Sequence, residues 1–115
     1  RSPRGEEVFS EVGCDACHVP DLGGVPVYSD LLLHDVADPF GPQVDQEGGA
    51  AEPTEFRTPP LWGIADTPPY LHDGRAFTLD AAILGHFGEA VPSKEAWEAL
   101  SESDRAALDV FLRSL

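Results

Sequence analysis

The apolar positions of this chain follow helical spacing near its two ends and lose any regular period between them. Near the start, R-G-E-E-V-F-S-E-V-G places Val8, Phe9 and Val12 on one face, and Gly13 ends the pattern. This predicts a short helix that delivers Cys14 and Cys17 into a turn. At the far end, S-E-S-D-R-A-A-L-D-V-F-L-R-S-L carries Leu108, Phe111, Leu112 and Leu115 as one stripe. Ser101 or Ser103 serves as its cap, Asp104 lies in the first turn, and Arg113 lies near the C-terminus, so each charge suits the helix dipole. Two shorter patterns come before it. Thr78 caps a helix with Leu79, Ala82, Ile83 and His86 on one face and Gly88 as its stop, and Ser93 begins another with Trp97 and Leu100.

The middle reads as loop. Val19–Val27 contains Pro20, Gly23, Gly24 and Pro26. Tyr28–Val36, Y-S-D-L-L-L-H-D-V, has a compact apolar centre that fits either a strand or a single helical turn. Asp38–Thr58 spreads Asp38, Asp45, Glu47, Glu52 and Glu55 among Pro and Gly, the pattern of an exposed acidic loop. The stretch R-T-P-P-L-W-G-I-A-D-T-P-P-Y-L-H-D-G-R-A follows, and its two Pro-Pro pairs forbid a long helix. It is nevertheless rich in Leu61, Trp62, Ile64, Tyr70 and Leu71, so it is expected to pack on something.

Composition sharpens this picture. The chain has 115 residues, the size of one domain spanning 1–115, and a domain of that size buries roughly two thirds of its unfolded surface. With 11 Gly and 11 Pro it is loop-heavy, and a large buried cofactor would help to hold it compact. The 21 acidic residues against 7 basic ones, a formal charge of −14, exclude a nucleic-acid surface and an anionic membrane surface. The excess fits a basic partner drawn in by long-range attraction, or else solubility in salty surroundings. No apolar run approaches the ~20 residues of a membrane span. The chain begins at Arg1 and shows no signal peptide, so it is read as a processed product or an excised domain, and the missing leader does not argue for the cytoplasm.

The only two cysteines lie in C-D-A-C-H, Cys14 to His18. A structural zinc site wants four protein ligands, and the other histidines, His34, His72 and His86, have no finger-like spacing. A thioredoxin-like pair would follow a strand in a βαβ unit, which this pattern lacks. Attachment of haem c uses every residue of the motif: each thiol adds across a vinyl group, and His18 binds iron from the proximal side. This predicts one covalent haem and a periplasmic or otherwise exported protein.

The other face of the iron poses a problem, because the chain contains no methionine. His34, His72 and His86 are the available side chains, with water or a vacant position as further options. His86 ranks first on local grounds, being on the apolar face of a predicted helix. His72 follows, beside an Asp73 expected to hydrogen-bond it, and His34 ranks last.

The stretches C-D-A-C-H, Y-S-D-L-L-L-H-D, E-F-R-T-P-P-L-W-G, P-Y-L-H-D-G-R-A, T-L-D-A-A-I-L-G-H-F-G-E-A and L-D-V-F-L-R-S-L occur in one order from Cys14 to Leu115. In these the chain resembles the C-terminal haem domain of the bacterial di-haem cytochrome c peroxidase superfamily, in its thiol-oxidoreductase-like branch. The resemblance implies an all-α, cytochrome c-like fold with short helices and long loops. It also implies that His86 stands where those peroxidases carry the distal methionine of the high-potential haem, so that His18 and His86 ligate the iron together. Two departures stand out. The family has two haems and this chain has one C-x-x-C-H, and Val36 follows His34-Asp35 where the branch commonly has Met.

Two imidazoles favour ferric iron, so the expected activity is one-electron transfer at low potential rather than stand-alone catalysis. The rival reading is a peroxidase-like haem whose distal ligand steps aside. A third is a partner-binding module with haem as a staple. Arg57 or Arg75 is expected to pair with a haem propionate, and Trp62 and Tyr70 to pack on the porphyrin or donate to a propionate; the plain alternatives are exposed arginines and ordinary core aromatics. The implied partners are a redox protein with a basic surface and a second haem domain or other fused domain.

Overall fold

Proline suits the first turn of a helix because its φ is already helical and its missing N–H is one the helix does not use. Pro3 opens helix α1 (Pro3–Glu11) in the computed structural model, which describes residues 3–38, 55–71 and 73–115. Val8 and Phe9 lie on its buried face, and Val12 just beyond it is buried too. The C-terminal helix α4 (Glu102–Arg113) is capped by Ser101, whose Oγ accepts from the Asp104 N–H at 3.1 Å. Its buried stripe is Leu108, Phe111 and Leu112.

The two ends of the chain meet through these stripes. Gly5 sits at the crossing: a Cβ built there would lie 2.1 Å from the Ala107 carbonyl oxygen and 2.6 Å from the Phe111 Cβ. One of these obstacles is backbone, so it cannot swing aside. Gly5→Ala should therefore push α1 off α4, at a cost of about 1–3 kcal/mol. Equilibrium denaturation should show a lower midpoint with an unchanged slope. At the rim, Arg4 grips the Asp104 carboxylate through Nε and Nη2, each at 2.9 Å. The pair is exposed, so it sets register more than stability.

Three rings close the core. Phe9, Tyr28 and Phe111 lie with centroids 5.4–6.0 Å apart and planes tilted by 60–75°, the edge-to-face arrangement that ring quadrupoles favour. Leu61, Leu79 and Trp97 complete the cluster. The apolar Pro-rich loop thus packs on the helices through Leu61, whereas Trp62 is 54% exposed.

Two short strands pair antiparallel, β1 (Leu33–Asp35) with β2 (Glu55–Arg57), so that His34 faces Phe56. Within the Tyr28–Val36 segment, the first makes Leu33–Asp35 strand and leaves the residues before it as loop. The second corrects the reading of Asp38–Thr58 as loop throughout, because strand pairing depends on a partner distant in sequence. The acidic residues from 39 to 54 lie outside the described residues.

Helix α2 (Leu79–Leu84) starts as expected, with Thr78 accepting from the Ala81 N–H at 3.1 Å. It stops at Gly85 instead of Gly88. A Cβ on Gly85 would meet Leu71 Cδ1 at 2.5 Å, so a neighbouring loop closes on the chain there. His86 consequently lies beyond the helix and not on its apolar face. Gly88 opens a 3-10 turn, Gly88–Ala90, that leads into α3 (Val91–Glu98). Helix α3 begins two residues before Ser93, with Pro92 in its first turn; it buries Trp97, and Leu100 lies beyond its end. The mostly helical domain with short helices is as the sequence implied, with the small sheet added. Among the described residues, no helix is long and apolar enough to cross a membrane.

Candidate functional site

After α1 the chain must turn sharply, and Gly13 supplies the left-handed residue, at φ 89°. A 3-10 turn, Cys14–Ala16, follows, and the His18 N–H returns to the Cys14 carbonyl at 2.9 Å. Cys14 packs against the core, and neither cysteine is in a disulfide. Burial pushes the Cys14 thiol up to about 12, with Asp15 adding to the shift. Cys17 is raised by burial first and then by Asp30 and Glu89. A dithiol redox centre needs the opposite, a thiolate stabilised near neutrality. These thiols stay protonated, which counts against disulfide exchange.

His18 is half-buried, and its Nδ1 lies 2.9 Å from the Tyr28 carbonyl oxygen. A carbonyl only accepts, so Nδ1 carries the proton and the neutral ring keeps its lone pair on Nε2. Tyr28 aims that carbonyl from a left-handed backbone, φ 52°, which costs of order 1–2 kcal/mol in a bulky residue. Its buried ring in the aromatic cluster holds it there. The following residue, Ser29, is fully buried; its Oγ donates to the Thr58 carbonyl at 2.6 Å and accepts from the Leu31 N–H at 2.9 Å. The loop supporting His18 is thereby tied to the R-T-P-P segment.

His86 is built in the same way. Its Nδ1 donates to the Ala82 carbonyl at 2.7 Å and its N–H to Ile83 at 3.1 Å, which again leaves the Nε2 lone pair for a metal. Burial pushes His86 below the ordinary histidine value, and Lys94 pushes the same way. Burial also lowers His18, to about 4, with His86 and His34 contributing like-charge repulsion. His18 thus feels the charge of His86, and burial favours the neutral form of both rings.

These donors fit a covalently held haem: two protonated thiols, an adjacent imidazole presenting Nε2, and a second imidazole with the same tautomer. They do not fit a redox dithiol. A small-metal reading also fails. Donor atoms of Cys17, Asp30 and His34 gather within 4.8 Å of one another. However, His34 lies between two carboxylates, Nε2 at 2.7 Å from Asp30 and Nδ1 at 3.1 Å from Glu89. A ring donating from both nitrogens has no lone pair to offer. The same geometry argues against His34 as an iron ligand.

The other described residues singled out from the sequence have hydrogen-bond partners of their own or are exposed. The Trp62 indole donates to the Pro26 carbonyl and the Tyr70 hydroxyl to the Ile64 carbonyl, each at 2.7 Å. Arg75 binds Asp73 at 2.8 Å and approaches Asp38 at 3.8 Å. Arg57 is exposed on β2 opposite Leu33. Among the described residues, no hydrogen bond or ion pair joins these four side chains to His18 or His86. His72 lies outside the described residues. Sequence reasoning missed the backbone carbonyls of Tyr28 and Ala82, which leave no side-chain signature, and the His34–Glu89 contact, which joins residues far apart in the chain.

The depressed histidines have a consequence for pH. A histidine whose folded value lies below its ordinary one opposes protonation of the folded state, so stability is lost as pH falls. For His18 the window runs from about 6.5 down to about 4. Denaturation of the haem-free polypeptide should become easier through that window, and a pH series of unfolding midpoints measures it.

The family model described as "Di-haem oxidoreductase, putative peroxidase" matches residues 2–115. A cytochrome c551 peroxidase of Pseudomonas aeruginosa is 30% identical over 97% of the chain, and the methylamine utilization protein MauG of Methylorubrum extorquens is 32% identical over 97%. The chain spans 33% of the length of each of these two relatives. A cytochrome c551 peroxidase of Nitrosomonas europaea is 32% identical over 69% of the chain and 25% of its own length. No solved structure matches. With the C-x-x-C-H motif, the mostly helical fold and these matches, the chain belongs to the di-haem oxidoreductase family and is one of its haem domains.

Proposed function

We propose that this domain carries single electrons through one covalent haem c ligated by His18 and His86, and that it corresponds to the C-terminal haem domain of its relatives. The observation that carries this reading is the pair of imidazoles. Each donates Nδ1 to a backbone carbonyl, each keeps a lone pair on Nε2, and His18 lies close enough to feel the charge of His86. When bound, the haem supplies a one-electron iron couple. The chain's own contribution is to hold both rings neutral and oriented, so little rearrangement accompanies a change of charge. Imidazole donates more strongly than thioether sulfur, and a formal charge of −14 opposes adding an electron. The potential is therefore expected well below that of His/Met cytochromes, and a spectroelectrochemical titration measures it. A potential in the His/Met range would sink the reading.

The acidic surface suits a redox partner with a basic face. Thioether attachment supports a location in the periplasm or another exported compartment. A second haem domain elsewhere in the same assembly fits the two-thirds of its relatives' length that this chain does not span.

One observation favours the alternative, a catalytic haem with a displaceable ligand. His86 stands in the turn after α2, not within a helix. Carbon monoxide binding to the ferrous protein separates the two readings: slow or absent binding supports electron transfer, and fast binding supports catalysis.

A further inference from the structure

The segment that follows His86 is fastened to β1 by a set of contacts in which His34 is central. The Phe87 N–H donates to the Val36 carbonyl at 2.8 Å. Gly88, at φ 57°, lies so close that an added Cβ would be 2.0 Å from the Asp35 carbonyl oxygen. Glu89 then reaches back along the strand. One of its carboxylate oxygens accepts from the Asp35 N–H and the other from His34 Nδ1 at 3.1 Å. On the opposite side of the ring, His34 Nε2 donates to Asp30 at 2.7 Å. The Asp30 N–H in turn donates to the Cys17 carbonyl at 2.8 Å. An unbroken line of hydrogen bonds thus joins the motif carrying His18 to the segment carrying His86.

We propose that His34 is a positioning residue: its imidazolium, held between Asp30 and Glu89, clamps the His86 segment to the C-x-x-C-H loop and so keeps His86 in place. The clamp needs both ring protons. A neutral imidazole donates from only one nitrogen and would turn a lone pair toward the other carboxylate. Glu89 is the more exposed partner and the longer bond, so it is the one released. This inference builds on the ligation proposed above, but its geometry concerns the segment whether or not His86 binds iron.

Charged and titratable groups reach His34 from each side. Asp30 lies on the preceding loop, Glu89 on the 3-10 turn, and His18 and Cys17 on the haem motif. On β2, Glu55 and Arg57 flank the facing Phe56, while Asp35 is next in line on β1. The two bonded carboxylates dominate and raise His34 above its ordinary value. A raised histidine contributes stability that is complete below the ordinary value and is lost as pH rises through the raised one. The clamp is therefore closed below the ordinary histidine value and opens as pH rises through the raised one.

The test uses the haem-loaded protein, its His34→Gln and Glu89→Gln variants, and two readouts across pH. The first is exchange of the Phe87 amide, corrected for intrinsic rate; the second is the rate of carbon monoxide binding to ferrous protein. In the native chain both should rise as His34 loses its proton. His34→Gln, which cannot donate to both carboxylates, should raise both about tenfold at a pH where the native His34 is protonated. Glu89→Gln can donate its amide to a neutral His34, so it should keep the segment closed after His34 loses its proton and flatten the pH response. If the His34 ring titrates by NMR while the Phe87 amide stays equally protected in all three proteins, the clamp is overturned. If the amide follows His34 but carbon monoxide binding does not, the clamp stands and ligation by His86 falls.

Discussion

His86→Ala should change the ferric spectrum of the haem-loaded protein from low-spin to high-spin and speed ferrous carbon monoxide binding by roughly a hundredfold, a barrier change of about 2.7 kcal/mol. The expectation rests on the shared design of two rings. His18 and His86 both donate Nδ1 to a carbonyl, Tyr28 and Ala82 respectively, and both are held neutral by burial. Removing His86 leaves His18 as the one imidazole so placed among the described residues. His34 cannot take over, because both of its ring nitrogens already serve carboxylates. An unchanged low-spin spectrum would defeat the assignment and direct attention to His72. Optical spectra at a fixed pH decide the matter, and adding exogenous imidazole should restore the low-spin form if His86 was the ligand.

Phe111→Ala should have the largest effect on stability, about 3–5 kcal/mol. Phe111 has no exposed surface and touches both other rings of the aromatic cluster. Native domains have only about 5–15 kcal/mol of total stability, so this loss removes a large fraction of it. The consequences reach the site. Tyr28 is kept in its left-handed conformation by the packing of its ring, and its carbonyl orients His18. With Phe111 gone, Tyr28 can relax and the His18 ring loses its fixed direction. A lowered denaturation midpoint together with a broadened haem spectrum is the expected result. A midpoint within about 1 kcal/mol of the native protein would show that the cluster does not hold the fold, since buried Phe truncations cost more than that.

Much of this was legible before any coordinates. The α1 and α4 stripes appear in the spacing of Val8, Phe9, Leu108, Phe111 and Leu112, because a helix places its apolar residues at short regular intervals. The caps at Thr78 and Ser101 were readable for the same local reason. The motif residues Cys14, Cys17 and His18 declare their chemistry by adjacency. Strand β2 did not appear, since three residues take their conformation from β1, not from their own pattern. The end of α2 was misplaced by three residues, Gly88 for Gly85, because Leu71 closes on Gly85 from a different loop.

The amino-acid sequence by itself carries the C-x-x-C-H motif from Cys14 to His18, the stripes of the two terminal helices and no methionine. All of these depend on residue identity or on neighbours a few positions away. Tertiary structure decided which histidines are available. It gave His18 and His86 backbone carbonyl partners that leave a lone pair on Nε2, and it placed His34 between Asp30 and Glu89, where it has none. His18, His34 and His86 are the same residue type, and their protonation and direction come from groups folded against them, one of them more than fifty positions distant. That is why chemistry set by side-chain identity could be read along the chain, whereas chemistry set by hydrogen-bond partners required the fold.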